Sequence, residues 1–279
     1  MEKFTLHNNT QIPCIGFGTW DIANNHETVD AIKNAIANGF THIDTAARYY
    51  NEESIGIALE QSSVKREQLW ITSKVWPTEC GYDNTIKSFN DSLKRLKTNY
   101  LDLFLIHWPA SSNRYNNWQE RNTDTWRALE TLYNEGKVKA IGVSNFLQHH
   151  LEPLFSKCNI KPMVNQIEVH PGYTQAETVK FCQENGLVVE AWSPFGKGRV
   201  FGNDTLEQIA TKHGKSVAQI CIKWCLQKHI VPLPKSVTPE RMRSNIDVFD
   251  FQISDTDMSA IDAITTIGWS GQHPDEVTF

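Results

Sequence analysis

Residues that can donate protons or hold charge follow three short apolar segments of the sequence. Asp44 ends THID and is soon followed by the adjacent pair Tyr49 and Tyr50, Lys74 lies within LWITSKVW, and His107 ends LDLFLIH. A nearby ammonium favours the phenolate form of tyrosine, and lowering a tyrosine pKa from about 10 to about 7 takes roughly 4 kcal/mol. Asp44 would hold Lys74 charged, while His107 would donate a hydrogen bond to an oxygen that gains negative charge. Together these residue types can protonate a carbonyl oxygen.

Only one of the two tyrosines is expected to share a site with Asp44. An apolar run that ends in Asp and Thr is typical of a strand whose last residues reach solvent, and neighbouring side chains there point in different directions. The residue types alone leave open whether the partner of Asp44 is Tyr49 or Tyr50.

Eight apolar, β-rich runs recur along the chain and carry these residues. They are CIGFGTW (14–20), THIDTA (41–46), LWITSKVW (69–76), LDLFLIHW (101–108), KAIGVSNF (139–146), MVNQIEVH (163–170), LVVEAWSPF (187–195) and IVPLPKS (230–236). Segments with helical periodicity separate them, and several end in glycine, as helices often do. Strands that alternate with helices pair in parallel, and eight such units predict a closed (β/α)8 barrel. The opening FTLHNNTQIP predicts a β-hairpin that turns at Asn8 and Asn9 over the barrel floor.

The main rival architecture is a doubly wound nucleotide-binding sheet, and its glycine fingerprint is missing. Gly16 and Gly18 are followed by no third glycine at the required spacing, and Gly196 and Gly198 precede no clear helix start. A bound dinucleotide would therefore need another site for its phosphates.

Polar residues stand at the ends of the eight runs, where a barrel places its active site. They are Asp44, Lys74, His107, Ser144, Asn145, Gln166, Glu168, His170, Ser193, Lys235 and Ser236. Each alone has an ordinary structural explanation, such as a helix cap for Asp44 or a buried core histidine for His107. Their joint placement at converging strand ends favours a catalytic site.

Length, composition and charge exclude several classes of protein. The 279 residues are 40% hydrophobic, and no linker-like stretch interrupts the pattern, so we expect one domain over residues 1–279. The net charge of −5 offers no basic surface for nucleic acid. No segment approaches the roughly 20 apolar residues of a membrane span, so we expect a cytoplasmic protein without membrane contact, and a monomer. The irregular stretches 109–123 and 266–279 are expected to carry function.

The six cysteines are scattered and predict no metal site. No C-x-x-C pair occurs, and only Cys221 and Cys225 lie close together, four apart on a predicted helix. Two small residues buried against the core are favoured over a redox pair or half of a metal site.

Six stretches of the sequence resemble the successive signatures of the aldo-keto reductases, which are NADPH-dependent (β/α)8 carbonyl reductases. They are GFTHIDTAARYYNEESIG, LWITSKVW, YLDLFLIHWP, VKAIGVSNF, MVNQIEVHP and IVPLPKS. The similarity runs in order from about Gly16 to Asn245, and such an ordered series is highly specific. The compact length and the ending GWSGQHPDEVTF are most similar to the microbial branch of 2,5-diketo-D-gluconate reductases, methylglyoxal reductases and prostaglandin F synthase-like enzymes.

The resemblance implies a catalytic tetrad of Asp44, Tyr49, Lys74 and His107. The family places its tyrosine five residues after the aspartate and two before Asn-Glu, which selects Tyr49. Tyr50 falls at a variable position, where it lines the pocket or packs.

The resemblance also implies a site for NADPH, with NADH accepted more weakly. At the adenosine end, PLPKSVTPERMRSN offers cations for a phosphate and an amide for adenine, namely Lys235, Ser236, Arg241 and Asn245. At the nicotinamide end, the matching residues are Ser144, Asn145 and Gln166 for the carboxamide and Trp192 for the ring. Ser193 and Phe195 match the loop along the pyrophosphate, and the roles of Lys197 and Arg199 in that loop stay open.

The substrate is expected to be a small-molecule carbonyl compound held by an apolar rim. The rim would comprise Trp20, Tyr50, Trp76 and Trp108, with Trp269 and His273 reaching over from the tail. Short loops favour small aldehydes, dicarbonyls and keto sugars, reduced to alcohols by hydride transfer with Tyr49 as proton donor. Two alternatives remain, a non-catalytic NADPH-binding regulatory subunit and a Schiff-base barrel enzyme that uses Lys74 as nucleophile.

Overall fold

A computed structural model describes residues 2–265 and 267–279 of the chain. Within these residues the strands are β1 (Lys3–Thr5), β2 (Gln11–Pro13), β3 (Phe17–Gly18), β4 (His42–Asp44), β5 (Trp70–Val75), β6 (Leu101–Ile106), β7 (Val138–Ser144), β8 (Val164–Glu168), β9 (Val188–Trp192) and β10 (Ile230–Pro232). Each of the eight predicted runs therefore corresponds to one strand, in the predicted order, and only β7 begins outside its run, by one residue. Strands β3 to β10 pair in parallel with their neighbours in sequence order.

The sheet closes on itself through backbone hydrogen bonds between its first and last strands. Gly16 N donates to Pro232 O and Gly18 N donates to Pro234 O, both at 3.0 Å. The β3 side comes so close that a Cβ on Gly18 would lie 2.8 Å from the Leu233 carbonyl oxygen. We call this contact between the first and last strands, β3 and β10, the seam of the barrel. Glycine is required at position 18 in the seam, and the predicted (β/α)8 barrel is confirmed.

The helices that cover the barrel within the described residues occupy most of the segments between strands. They are α1 (His26–Ala37), α2 (Glu52–Glu60), α3 (Tyr82–Arg95), α4 (Trp118–Asn134), α5 (Gln148–Phe155), α6 (Ala176–Glu184), α7 (Asp204–His213), α8 (Val217–Gln227), α9 (Pro239–Ile246) and α10 (Asp255–Asp262). Strands β5 and β6 are buried at every position because helices cover one face and the barrel interior the other. Since α4 begins at Trp118, the stretch 109–123 is irregular only in its first part, which corrects the sequence-based expectation.

The predicted hairpin is also confirmed. Strands β1 and β2 pair antiparallel, and Asn9 adopts the left-handed conformation (φ 67°) in the turn between them. The Asn8 side chain donates to Lys139 O (3.0 Å), and a ring nitrogen of His7 lies 3.2 Å from Pro162 O. These carbonyls lie next to the starts of β7 and β8, so the hairpin covers the amino-terminal end of the barrel.

The cysteine pair lies in the interior. Cys221 and Cys225 are free thiols, both buried on α8, and burial raises the pKa of both thiols. Two buried, protonated thiols match the expectation of small core residues. None of the helices in the described ranges has both the length and the apolar character needed to cross a bilayer.

Candidate active site

Lys74 is the centre of a buried cluster at the carboxyl ends of β4 and β5. Its ammonium donates to Asp44 Oδ1 at 2.8 Å, to Thr45 O at 2.9 Å and to the Tyr49 hydroxyl at 3.3 Å. Lys74 has no solvent exposure, and Asp44 is almost fully buried. Three of the four residues predicted to form the tetrad are therefore joined by direct hydrogen bonds.

A short 3-10 turn (Ala47–Tyr49) presents Tyr49 to this cluster. The turn ends at Tyr50, which takes the left-handed conformation (φ 56°), so the two tyrosine side chains leave the chain in different directions. The buried Asn51 amide holds the loop in place by accepting from Thr45 Oγ1 (2.9 Å) and donating to Thr19 O (2.8 Å). Tyr49 faces Lys74, while the Tyr50 side chain is 68% exposed.

His107 follows β6 and lies edge-on to Tyr49. The ring centroids are 5.5 Å apart, and Trp76 packs on the same imidazole at 5.0 Å. Burial, with the charges of Lys74 and Arg48, holds the pKa of His107 well below its usual 6.5. A neutral imidazole carries one N–H donor, which suits hydrogen bonding to a substrate oxygen.

The protonation state of Tyr49 corrects one sequence-based expectation. Burial raises the pKa of the phenol, and this effect outweighs the lowering by the Lys74 ammonium. For Lys74, burial alone would lower the pKa, but Asp44 and Tyr49 together raise it. The side chains therefore rest as neutral phenol and charged ammonium, and Lys74 stabilises the phenolate only once Tyr49 has lost its proton.

A second buried network lies behind Asp44. Gln166 Nε2 donates to Asp44 Oδ2 (2.9 Å) and to Glu190 Oε2 (2.7 Å), and His42 lies 3.7 Å from the other Glu190 oxygen. Burial, with the nearby Asp44 charge, raises the pKa of Glu190 to about 8, and burial lowers that of His42 to about 3. Both groups are neutral at pH 7, so their contact is not an ion pair. The network uses both N–H donors of Gln166 and leaves Oε1 without a donor among the described residues.

The residues predicted for a nicotinamide surround the same strand ends. Asn145, in the left-handed conformation (φ 63°), donates to His107 O at 2.9 Å and to Ser144 Oγ at 3.1 Å. Its Oδ1 accepts from the Trp192 indole at 2.8 Å. Together with the unused Gln166 Oε1, these polar groups fit a carboxamide beside an aromatic wall.

The residues predicted for the adenosine end line the far part of the same cleft. Lys235 and Arg241 are exposed, Ser236 and Asn245 are buried, and all four belong to the lining. Arg241, on the first turn of α9, has no ion pair with any described carboxylate, which leaves its charge available to a phosphate. The donor set thus fits the phosphorylated end of NADP(H).

One cleft of about 1460 Å³ joins both groups with Asp44, Tyr49 and His107. Of the sequence-predicted residues, the lining includes Trp20, Asp44, Tyr49, Tyr50, Trp76, His107, Trp108, Ser144, Asn145, Gln166, Trp192, Ser193, Phe195, Lys235, Ser236, Arg241 and Asn245. Lys74 lies beneath the lining. Lys197, in the loop after β9, also lines the cleft and packs over the Trp20 ring at 4.4 Å.

The tail contributes to this cleft differently from the expectation. Trp269 stacks on Tyr173 (6.0 Å) and, like His273, lies outside the lining. Phe279 instead packs on Trp76 (4.8 Å) and Trp108 (5.2 Å), and Gln272 also lines the cleft. Sequence reasoning also missed Arg48 and Ser244 in the lining, although the charge of Arg48 beside Tyr49 was a usable signal.

Polar contacts of Ser270 and Asp275 hold the tail on the barrel. Ser270 donates through its backbone N–H and hydroxyl to the buried Glu168, at 2.9 and 2.7 Å. Asp275 Oδ1 lies 3.0 Å from Nε2 of both His149 and His150. These three residues lie close enough to hold a metal ion. However, His150 Nδ1 accepts from Leu147 N (3.2 Å), so Nε2 carries the proton and turns it, rather than a lone pair, toward Asp275 Oδ1.

Stability is expected to fall steeply below pH 6.5. Burial keeps His42, His107 and His150 neutral in the folded chain, with the pKa of His150 at about 4, whereas the unfolded chain protonates all three near 6.5. Glu190 has the opposite effect. It is protonated in the folded chain but ionised in the unfolded chain at any pH above its ordinary pKa of 4.5, so it offsets one of these three protons. The unfolded chain thus binds two more protons, and the free energy of unfolding should drop by about 3 kcal/mol per pH unit.

Urea unfolding at pH 7, 6 and 5 measures this slope. The His42→Gln variant removes one of the three buried imidazoles and should roughly halve it. Above pH 6.5, Glu190 is the main one of these four groups that differs in protonation between the folded and unfolded chain. Since the folded chain holds the extra proton there, the contribution of Glu190 to the free energy of unfolding should decline as the pH rises toward 8. A free energy of unfolding that stays constant from pH 7 to 5 would contradict the assignment of neutral, buried histidines.

Comparison with known proteins identifies the family of the chain. Residues 14–266 match the Aldo/keto reductase family. The chain is 48% identical over 278 residues to the glyoxal reductase of Bacillus subtilis, covering 100% of this chain and 98% of the relative. It is 43% identical over 274 residues to the 9,11-endoperoxide prostaglandin H2 reductase of Trypanosoma cruzi, covering 97% and 94%.

Solved structures show the same architecture. MGS-M4, an aldo-keto reductase from a Medee basin deep-sea metagenome library, superposes with a TM-score of 0.93 at 41% identity, covering 100% of both chains. A mutant of Gox0644 in complex with NADPH superposes with a TM-score of 0.92 at 37% identity, covering 100% and 99%. The chain therefore belongs to the aldo-keto reductase family and is an NADP(H)-dependent oxidoreductase.

Proposed function

We propose that this protein reduces small aldehydes and dicarbonyl compounds to alcohols with NADPH, and that Tyr49 protonates the carbonyl oxygen. The observation that carries the proposal is the position of the Tyr49 hydroxyl, 3.3 Å from the Lys74 ammonium and beside His107 in the cleft. The relatives named glyoxal reductase and prostaglandin H2 reductase support a carbonyl or related oxygen substrate.

The residues divide the work of the reaction. The chemistry that NADPH supplies when bound is a hydride for the carbonyl carbon. His107 donates a hydrogen bond to the carbonyl oxygen, and Tyr49 gives that oxygen its proton as negative charge develops. Lys74 stabilises the resulting phenolate, since its ammonium lies 3.3 Å from the Tyr49 hydroxyl. Asp44, at 2.8 Å from the same ammonium, keeps Lys74 charged and in place. Reprotonation of Tyr49 completes the cycle.

A Schiff-base mechanism at Lys74 is disfavoured by the same contacts. The amine is fully buried, donates to Asp44, Thr45 and Tyr49, and has a raised pKa, so it is a charged and hindered nucleophile. A non-catalytic role is disfavoured because the four tetrad residues lie together.

Loss of NADPH absorbance with methylglyoxal or glyoxal tests the proposal. If NADPH is not oxidised with any aldehyde or ketone of a panel, the proposed reduction is contradicted. A covalent adduct trapped by borohydride would favour the Schiff-base enzyme.

The cofactor preference gives a second test. We propose that Arg241 contacts the 2′-phosphate, because it is an exposed cation without an acidic partner among the described residues of the cleft. The Arg241→Ala variant should raise the KM for NADPH about ten-fold or more and the KM for NADH less than three-fold. The matched control is Arg243→Ala, on the same helix but outside the cleft lining, which should change neither constant appreciably. Equal effects of Arg241→Ala on both cofactors would argue against contact with that phosphate.

A further inference from the structure

Arg48 places a cation at the substrate end of the cleft, next to the proposed proton donor. Its guanidinium carbon lies 5.1 Å from the ring centroid of Tyr50 and 5.2 Å from that of Trp76, so the group is held between two aromatic rings. One of its nitrogens also donates to the Tyr50 hydroxyl. Cation–π contacts of this kind restrict the motion of a guanidinium and reduce the entropy lost when it binds a ligand.

No described carboxylate pairs with the Arg48 guanidinium. Among residues 2–265 and 267–279, no carboxylate oxygen lies within 4.0 Å of its nitrogens, unlike Lys74, which pairs with Asp44. The guanidinium has five N–H donors, and the contact with Tyr50 uses one of them. The remaining donors have no acceptor among the described residues, although Arg48 lines the cleft.

Arg48 is also close to the reacting atoms. Trp76, which packs against the guanidinium, packs against His107 as well, with ring centroids 5.0 Å apart. The positive charge of Arg48 is one reason that the pKa of His107 is low, which places the two groups within electrostatic range. A substrate whose carbonyl oxygen meets Tyr49 and His107 would therefore bring its nearby substituent toward Arg48.

The other cations of the cleft occupy different positions. Lys235 and Arg241 belong to the segment after β10, where Lys235 donates to Asp21 O at 2.9 Å. Lys197 lies on the loop after β9, over Trp20. Arg48 alone among the described cleft-lining cations packs on Trp76 beside His107.

We propose that Arg48 is a specificity-determining residue that binds a carboxylate on the substrate, so that this enzyme favours oxo acids and aldehydes with a nearby carboxylate over neutral carbonyl compounds. The inference rests on the proposed carbonyl reduction and adds the charge of the substrate. The planar fork of arginine matches a carboxylate through two parallel hydrogen bonds, which a point charge would not provide.

Tyr50 gains a role from the same arrangement. A bulky residue with φ 56° is strained, and such strain persists where the surrounding structure enforces it, often at functional sites. In this conformation its ring and hydroxyl both contact Arg48. Tyr50 therefore positions the guanidinium.

A matched pair of aldehydes tests the proposal. 4-Formylbenzoate and its methyl ester share a ring and an aldehyde and differ in charge, and glyoxylate and methylglyoxal form a smaller pair. The unmodified enzyme should have the higher kcat/KM for the acid of each pair. In Arg48→Met, kcat/KM for the acid should fall 10- to 100-fold. This fold-loss should be at least ten times the fold-loss in kcat/KM for the ester. Arg48→Lys should recover part of the loss, and added salt should weaken the preference.

The outcomes separate the inference from the proposed function. Equal losses for acid and ester in Arg48→Met, or a preference for the acid that disappears in Lys197→Met instead, would overturn the role of Arg48. If the ester and methylglyoxal are reduced but the acids are not preferred, the inference fails while the proposed reduction stands. If no aldehyde is reduced, both fail. Because Arg48 is exposed, Arg48→Met should fold, and its urea midpoint verifies that.

Discussion

Replacing Tyr49 by phenylalanine is expected to lower kcat for carbonyl reduction by at least about a thousand-fold, while NADPH binding changes less than three-fold. The hydroxyl is the group that meets Lys74 at 3.3 Å, and phenylalanine keeps the ring that packs on His107. General acids contribute roughly 10²- to 10⁴-fold to rates, so the loss should be near the upper end if no other group replaces the phenol. The rate of NADPH oxidation and quenching of tryptophan fluorescence by NADPH measure the two quantities.

A matched variant controls for the loss of a tyrosine hydroxyl as such. Tyr82 lies on α3 and donates to Thr131 Oγ1 at 3.1 Å, outside the cleft lining. Tyr82→Phe should therefore retain kcat within two-fold. If Tyr49→Phe keeps more than a tenth of the original kcat, the proton comes from another donor, and His107 becomes the first candidate because it lines the same part of the cleft.

The second large effect concerns Lys74, whose removal should cost stability as well as activity. Lys74→Met leaves the buried Asp44 carboxylate without its ammonium, and breaking one side of a buried pair costs about 3–5 kcal/mol. The double variant Lys74→Met with Asp44→Asn removes both charges, so most of the unfolding free energy should return. Activity should not return, because nothing then stabilises the Tyr49 phenolate.

Urea unfolding and kcat, measured on the same preparations, separate the two effects. The control is Lys94→Met, which breaks the exposed pair with Asp91 and should change the unfolding free energy by less than about 0.5 kcal/mol. A double variant that stays as unstable as Lys74→Met would show that the cost is lost packing rather than an unpaired charge. A double variant that regains turnover would remove Lys74 from the proposed mechanism.

The sequence predicted the barrel well because apolar, β-rich runs alternate regularly with segments of helical periodicity. Each apolar run that ends in polar residues became one strand, and the barrel geometry then brings Asp44, Lys74 and His107 to one end. The pKa direction of Tyr49 was not predictable in the same way. It depends on how deeply the phenol is buried, which is a property of the packed state, and burial outweighs the charge of Lys74.

The tail was the least predictable part of the site. Trp269 and His273 were chosen for residue type alone, since the segment has no periodicity that could indicate direction. Phe279 takes a place in the cleft because Ser270 and Asp275 are held by residues far away in the sequence. Arg48 was predictable only in part. Its charge beside Tyr49 was visible in the sequence, but the absence of an acidic partner among the described residues was not.

The seam between β3 and β10 links the order of folding to ligand binding. It joins the first and last strands of the barrel, and Lys235 crosses it to Asp21, 214 residues away in the chain. Pairings this distant are entropically the hardest to form and tend to form slowly. Because Trp20 follows β3 and Lys235 follows β10, a ligand that contacts both binds only after the barrel has closed. Its binding free energy then adds to the stability of the closed barrel, so cofactor concentration should set how often the seam opens.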